Sequence, residues 1–288
     1  MRILIVGSDN SLGDALQDFL LSQGRHAITV LPREACRWKS ERQAKKSLRR
    51  ADCDLVIDAR IVAAADGGDT IRDLDIDRTF WLAKASHRSG VGYLYLSSSR
   101  VFSGNVERLY SEDDYPDNEE TLGELLLRGE SVVRDSCERH LILRLGPVFS
   151  HHNGNVMTQL LDQLVQGGTL LLESNMRGSP VLAGDAARVV SALADQLSTN
   201  ADVWGIYHYC SSDVTNCYEF AEALLASASQ FSQFSAAAVE LEKHSESGVQ
   251  LNRALDCTKI SNTFAIKQMP WRSSIAGTVK TYFDERAG

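Results

Sequence analysis

Apolar and polar positions along the first half of the chain fall into blocks whose period changes repeatedly. Residues 2–7 (Arg-Ile-Leu-Ile-Val-Gly) form a short apolar run closed by glycine, and Leu12, Leu16, Phe19 and Leu20 follow at helical spacing. That order is strand, turn, helix. Ala27–Leu31 reads as a second strand ended by Pro32, Asp54–Ala59 as a third and Gly92–Ser97 as a fourth. A helical stretch runs from about Ile71 to Ser89, and Leu141–Leu145 supplies a fifth strand. Apolar strands alternating with amphipathic helices imply a buried parallel sheet with helices on both faces.

Beyond residue 150 the pattern loosens. Helices are expected near Val156–Gln166, Asp185–Leu197 and Tyr218–Ala228, a strand at Leu170–Leu172, and a helical pattern over roughly the last 30 residues. Ser229–Gln250 shows no clear period and reads as a loop or insertion. The expected fold is α/β: a Rossmann-type doubly wound parallel sheet with a small C-terminal substrate-binding lobe. Residues 1–150 would form the dinucleotide-binding core. Residues 151–288 would be mainly the lobe, with some segments returning to the core, and the lobe would close over the carboxyl ends of the strands.

Composition narrows the function classes. The 288 residues are 43% hydrophobic and 24% charged, ordinary values for a soluble globular chain. The formal charge of −8 argues against a general nucleic-acid binder, which needs a basic face. No apolar run approaches the ~18 residues needed to span a bilayer, and the N-terminus reads as a strand, not a signal peptide. Cys36, Cys53, Cys137, Cys210, Cys217 and Cys257 form no CxxC pair, which suits reduced thiols in the cytoplasm. Two stretches are biased in charge. Arg37–Arg50 carries seven basic residues against Glu41, and Glu112–Glu120 carries six acidic residues and none basic.

Several motifs bear chemistry. Gly7-Ser-Asp-Asn10-Ser11-Leu12-Gly13 sits at the first strand-to-helix turn, where glycines let a backbone approach a pyrophosphate. Asn10 stands at the middle glycine position. Asparagine tolerates positive φ better than most residues, which would preserve the turn, while its side chain takes space a pyrophosphate would use. After the second strand, Leu31-Pro-Arg33 offers no acidic residue for a ribose diol, and Arg33 could meet a 2′-phosphate. His151-His152-Asn153 nominates no third metal ligand, so no metal is expected.

Thr121-Leu-Gly-Glu-Leu-Leu-Leu-Arg-Gly-Glu130 resembles the Tyr-Gly-x-Ser-Lys-x-x-Gly-Glu helix of extended short-chain dehydrogenases/reductases. Ser97-Ser-Ser-Arg-Val-Phe-Ser-Gly104 resembles the Ser-Thr-Asp-Tyr-Val-Phe-Asp-Gly motif of the dTDP-4-dehydrorhamnose reductase type. The likeness continues in order through Leu143–Phe149, Arg177-Gly-Ser-Pro180, Asp185, Gly205-Ile-Tyr-His-Tyr, Tyr218-Glu-Phe-Ala221 and Arg253–Lys259. The resemblance implies cofactor contacts at Gly7, Asn10, Ser11, Leu12, Gly13, Arg33, Asp58 and Ala59. It implies substrate contacts at Val101, Phe102, Arg177, Ser179, Pro180 and Arg253, and a carbonyl-binding role for Ser98.

The same resemblance exposes a loss. In such enzymes the tyrosine passes a proton to or from the substrate oxygen, and a lysine one turn later holds the ribose and favours the phenolate. Here Leu122 and Leu126 take those two places. Arg60 stands at a small-residue position and Asp75 at an asparagine. Tyr110, Tyr115 and Lys84 are the groups nearest in sequence that could relocate the relay. The reading is a catalytically degenerate reductase-like protein with a nucleotide or nucleotide-sugar pocket, in a binding or regulatory role. NADP or NAD binding would be weak or lost, with NADP favoured, and a protein partner or homodimer would fit that role. The family's regulatory beta subunit of methionine adenosyltransferase is a precedent. Two alternatives are an active NADP-dependent reductase with an unconventional acid, and an interaction subunit with a closed cleft.

Overall fold

The computed structural model describes residues 1–62, 70–232, 234–245 and 249–287. Strand β1 (Arg2–Val6) leads into helix α1 (Ser11–Gln23), followed by β2 (Ala27–Leu31), α2 (Glu41–Ala51), β3 (Leu55–Asp58), α3 (Asp73–Arg88), β4 (Gly92–Ser98), α4 (Thr121–Ser136) and β5 (His140–Leu145). Then come β6 (Val148–Phe149), α5 (Val156–Gln166), β7 (Gly168–Glu173), β8 (Met176–Arg177), β9 (Val181–Leu182) and α6 (Ala183–Ser198). The chain finishes with β10 (Gly205–Tyr209), α7 (Cys217–Ala228), β11 (Val239–His244), β12 (Leu251–Asn252), α8 (Thr258–Phe264) and α9 (Arg272–Ala287).

Six strands form one sheet in the order β10-β5-β4-β3-β1-β2, every pairing parallel. Helices α1 and α6 pack together, and α3 packs against both α2 and α4. This is the expected α/β fold, a parallel sheet with its order reversing beside β1, where ligands of such sheets bind at the carboxyl ends. All residues of β3 and β4 are buried, which is why those strands read as unbroken apolar runs; β2, at the sheet edge, is largely exposed.

A second apolar cluster lies apart from the sheet. Phe149, Leu161, Phe220, Leu224, Trp271 and Val279 belong to it, drawing on α5, α7 and α9. The strand expected at Leu170–Leu172 is there, extended to Gly168–Glu173. One expectation is overturned: Ser229–Gln250 contains β11, which pairs in parallel with β7 from Val239↔Gly168 to His244↔Glu173. Its alternation was obscured because the strand carries Glu240, Glu242, Lys243 and His244 on an exposed pair, so only Val239 and Leu241 report burial. Residues 233 and 246–248 of that stretch lie outside the described residues. Among the described residues, no helix is long and apolar enough to cross a membrane.

Helix α4 approaches the sheet closely. A Cβ at Gly129 would overlap the Tyr95 hydroxyl, and one at Gly123 would meet Asn118 Cγ at 2.6 Å. The Tyr95 hydroxyl is itself buried without a hydrogen-bond partner among the described residues. We therefore expect Gly129→Ala to cost about 1–3 kcal/mol by overpacking. Tyr95→Phe should be neutral or stabilising, since it removes an unsatisfied group, and should recover part of the Gly129→Ala loss. Denaturant unfolding of the two single variants and the double variant checks this. Additive losses would contradict the contact.

Candidate functional site

The first turn keeps its shape by a different device from the one expected. Gly7 has φ +84°, and its neighbour across the turn is Arg60, whose backbone N lies 2.9 Å from where a Cβ would stand. Asn10 does not take positive φ. It is extended at φ −151° and caps α1, accepting from Gly13 N–H at 2.9 Å while its amide donates to the Gly7 carbonyl at 2.6 Å. A Cβ at Gly13 would overlap the Gly7 carbonyl, so this glycine serves the close approach of helix and strand. Ser11 and Leu12 are buried in the first turn. The Ser11 hydroxyl donates to the His152 carbonyl at 2.9 Å.

Beneath this turn lies a buried charge cluster. Asp58, at the end of β3, receives Arg60 Nε at 2.9 Å, Arg60 Nη2 at 2.6 Å and the Tyr93 hydroxyl at 2.6 Å. Arg60 Nη2 also donates to Thr79 Oγ1 at 3.0 Å. Burial works against the Arg60 charge, but the Asp58 carboxylate outweighs it and holds the guanidinium protonated. Asp58 and Ala59 are both fully buried, so the structure places them under the cleft floor. Arg60, which stands at a small-residue position of the family pattern, turns inward, because a carboxylate two residues earlier offers it a bidentate partner.

Helix α4 carries the decisive residues. Glu130 accepts from Arg144 Nε at 2.9 Å, Arg144 Nη2 at 2.7 Å and the Ser97 hydroxyl at 2.6 Å, all buried. Arg144 Nη1 lies 3.3 Å from His208 Nε2, whose ring Nδ1 faces the Tyr110 carbonyl at 3.1 Å. Burial, then the Arg144 charge, push the His208 pKa down to about 3. With the helix so seated, Leu122 is half-buried and lines a cavity, whereas Leu126 is wholly buried in the sheet core. The expectation that both leucines face the cleft therefore holds for Leu122 alone. Ser98 closes β4, buried, its Oγ accepting from Arg100 N–H at 3.3 Å.

The cavity beside Leu122 has a volume of about 350 Å³. Of the residues expected to contact a substrate, Arg177, Pro180 and Arg253 line it. The β8·β12 pair brings Arg177 and Arg253 together, with Arg253 N–H donating to the Arg177 carbonyl at 2.8 Å. Arg253 also pairs with Glu120 at 3.1 Å. Val101, Phe102 and Ser179 do not line it. Phe102 stacks on Tyr110 with ring centroids 4.1 Å apart, under the Arg144 guanidinium, and Val101 and Ser179 are buried. Residues at a β-strand end read identically in sequence whether they turn toward ligand or core. Arg100, Glu173, Met176, Asn216 and Phe220 also line the cavity. Arg100 lies inside a quoted motif and carried the only signal, a charge at a strand end.

A second cavity, about 610 Å³, opens where β2 ends. Arg33, Arg37, Arg72 and Arg78 line it with Asp9, Glu34 and Asp75. Asp75 accepts from Arg72 N–H at 3.1 Å and pairs with Arg78 at 3.0 Å, so it organises this rim and not a proton relay. None of the three groups considered for relocated chemistry lines the Leu122 cavity. Tyr110 is buried with its hydroxyl accepting from Gly104 N–H at 3.0 Å, Tyr115 is 83% exposed, and Lys84 pairs with Glu41 at 3.8 Å. Among the described residues no three His, Cys, Asp or Glu side chains converge on a metal-sized space.

The model of the RmlD substrate binding domain family matches residues 1–283. The chain belongs to this family. Among its relatives, the spore coat polysaccharide biosynthesis protein SpsK of Bacillus subtilis is 25% identical over 228 residues, covering 78% of each chain. A dTDP-4-dehydrorhamnose reductase of Aggregatibacter actinomycetemcomitans is 22% identical over 284 residues, covering 95% of this chain and 97% of that one. The crystal structure of dTDP-4-dehydrorhamnose reductase from Bacillus anthracis in complex with NADP superposes with a TM-score of 0.81 at 18% identity, covering 97% and 99% of the two chains.

Set against the NADP held by the Bacillus anthracis structure, the two regions of this chain differ. The cavity at the end of β2 offers four arginines, with Asp9, Glu34 and Asp75. The pyrophosphate turn does not fit as it stands: Asn10 takes the Gly13 N–H, the Ser11 hydroxyl is engaged by His152, and Leu126 offers no ribose ligand. No hydride step is derived from it.

Two expectations follow. His208 is held neutral, so the folded state binds fewer protons than the unfolded chain below its ordinary value of 6.5. Its contribution to stability is whole above pH 6.5 and is lost as pH falls toward about 3, by up to ~1.4 kcal/mol per pH unit. The stability of His208→Gln should fall less steeply between pH 6 and 4, as read by denaturant titration. Leu126→Lys should cost at least about 3 kcal/mol because it buries an unpaired ammonium. Leu122→Tyr, on a cavity wall, should cost far less. Equal losses would place both leucines in one environment.

Proposed function

We propose that this chain is a nucleotide-sugar-binding member of the RmlD family whose reductase chemistry has lapsed, acting through binding or regulation. One observation carries the reading. The family helix is seated by Gly123, Gly129 and Glu130, yet the residue it turns to the cavity is Leu122, and Leu126 is sealed in the core. A leucine side chain can neither donate nor accept a proton, and the Ser98 hydroxyl alone supplies no acid of suitable strength. Arg100, Arg177 and Arg253 give the cavity three cations beside Glu120 and Glu173, with apolar surface from Leu122, Met176 and Phe220. That combination suits an anionic diphosphate joined to rings. Cofactor binding is weak and favours NADP, through the arginines at the end of β2. Six free cysteines, five of them buried, support a reducing cytoplasmic setting.

A second reading, a working NADP-dependent reductase with an unconventional acid, draws on the same arginine cavity, which preserves 2′-phosphate recognition. Turnover decides between them. With NADPH and dTDP-4-dehydrorhamnose, the purified protein should oxidise NADPH ~10²–10⁴-fold more slowly than an ordinary reductase, since loss of a positioned general acid has that size. A rate of about 1 per second or faster sinks the proposal. Thermal shift with nucleotide sugars should show stabilisation, because a ligand that binds only the native state raises its stability.

A further inference from the structure

The loop after β6 makes contacts that the reading above leaves unexplained. Ser150 to Asn155 folds onto the first turn of α1 and is tied at three points. On α1, the His152 carbonyl accepts from the Ser11 hydroxyl at 2.9 Å, the His152 ring meets Asp14 at 3.3 Å, and Asn153 Nδ2 donates to Asp14 at 2.9 Å. On α9, His151 Nε2 lies 3.2 Å from Glu285. Within the loop, Asn155 Nδ2 donates to the His152 and Asn153 carbonyls at 3.0 and 3.1 Å while its Oδ1 caps α5. Asn153 takes φ +59°, the left-handed conformation asparagine tolerates, which turns the chain back toward α1.

The chemistry at the contact is telling. A helix N-terminus favours an anion, because its first N–H groups point outward and the helix dipole is positive there. In this chain the Gly13 N–H of that end is already taken by the Asn10 side-chain oxygen, and the Ser11 hydroxyl by the His152 carbonyl. The loop thus contributes one acceptor, at Ser11, of the kind a phosphate would bring. We infer that the Ser150–Asn155 loop is an intramolecular plug, seated where a dinucleotide pyrophosphate would lie and latched there by Asp14 and Glu285. The inference rests on the reading of this cleft as a nucleotide site.

Neither Asp14 nor Glu285 lines the arginine cavity, which makes the two separable. Asp14→Ala removes the contacts to His152 and Asn153, and Glu285→Ala removes the one to His151. The latch contacts are partly exposed, so the expected gain is modest. By calorimetry, the double variant should bind NADP at least about tenfold more tightly than the unaltered protein. Its affinity for adenosine 2′-monophosphate, which has no pyrophosphate, should be unchanged. Glu285→Ala alone, on a helix away from the turn, should shift NADP affinity the same way by a smaller factor, and guards against a folding defect at Asp14. Unchanged NADP affinity with adenosine 2′-monophosphate still bound overturns the plug and leaves the nucleotide site standing. Gains for both ligands overturn the plug as well, by pointing to general loosening. If neither ligand binds any form, the plug and the nucleotide reading fall together.

Discussion

The close seating of α4 on the sheet is the constraint on which the rest of this molecule depends. It is made of one absent side chain and one buried ion pair. Gly129 lets the helix lie against Tyr95, and Glu130 locks it to Arg144 and Ser97. Removing either charge would strand the other in a low-dielectric interior, at a cost of about 3–5 kcal/mol. The pair is thus hard to lose by single steps. Leu122, half-buried on a cavity wall, has no such hold on the fold, whereas Leu126 is itself part of the sheet core.

The same logic separates the two acidic residues that depart from the family pattern. Asp58 is satisfied from three sides by Arg60 and Tyr93, so the substitution and the arginine two residues later form one unit. Asp75 sits at the rim of the arginine cavity, where it orders Arg72 and Arg78. Asp58 and Asp75 therefore have separate structural roles, one in the core and one ordering arginines at a cavity rim.

Much of the fold was legible because parallel strands buried on both faces declare themselves. Leu55–Asp58 and Gly92–Ser98 were readable to within a residue or two. Strand β11 was not, since a two-stranded exposed pair gives no apolar run to read. Among site residues, Arg177 and Arg253 were placed by resemblance, and the structure joins them through β8 and β12. The inward turn of Arg60, the core burial of Val101 and Phe102, and the contact of His152 with Ser11 were illegible for a common reason. Each depends on a partner far away in sequence or on which way a strand-end side chain rotates, and neither leaves a periodic trace.

The position of β10 bears on how the chain is made. Its partner is β5, so Arg144 meets His208 only after 64 further residues have been added. During synthesis from the N-terminus, five strands are complete while the outer edge of β5 has no neighbour and the Glu130–Arg144 pair lacks part of its cover. An open parallel edge of that kind is a template for pairing with another chain. Helix α5 and β7, parts of the second apolar cluster, emerge in this interval, so the nascent protein must hold a half-finished sheet until α6 and β10 arrive. Until residue 209 is added, the edge of β5 that β10 will cover stays open.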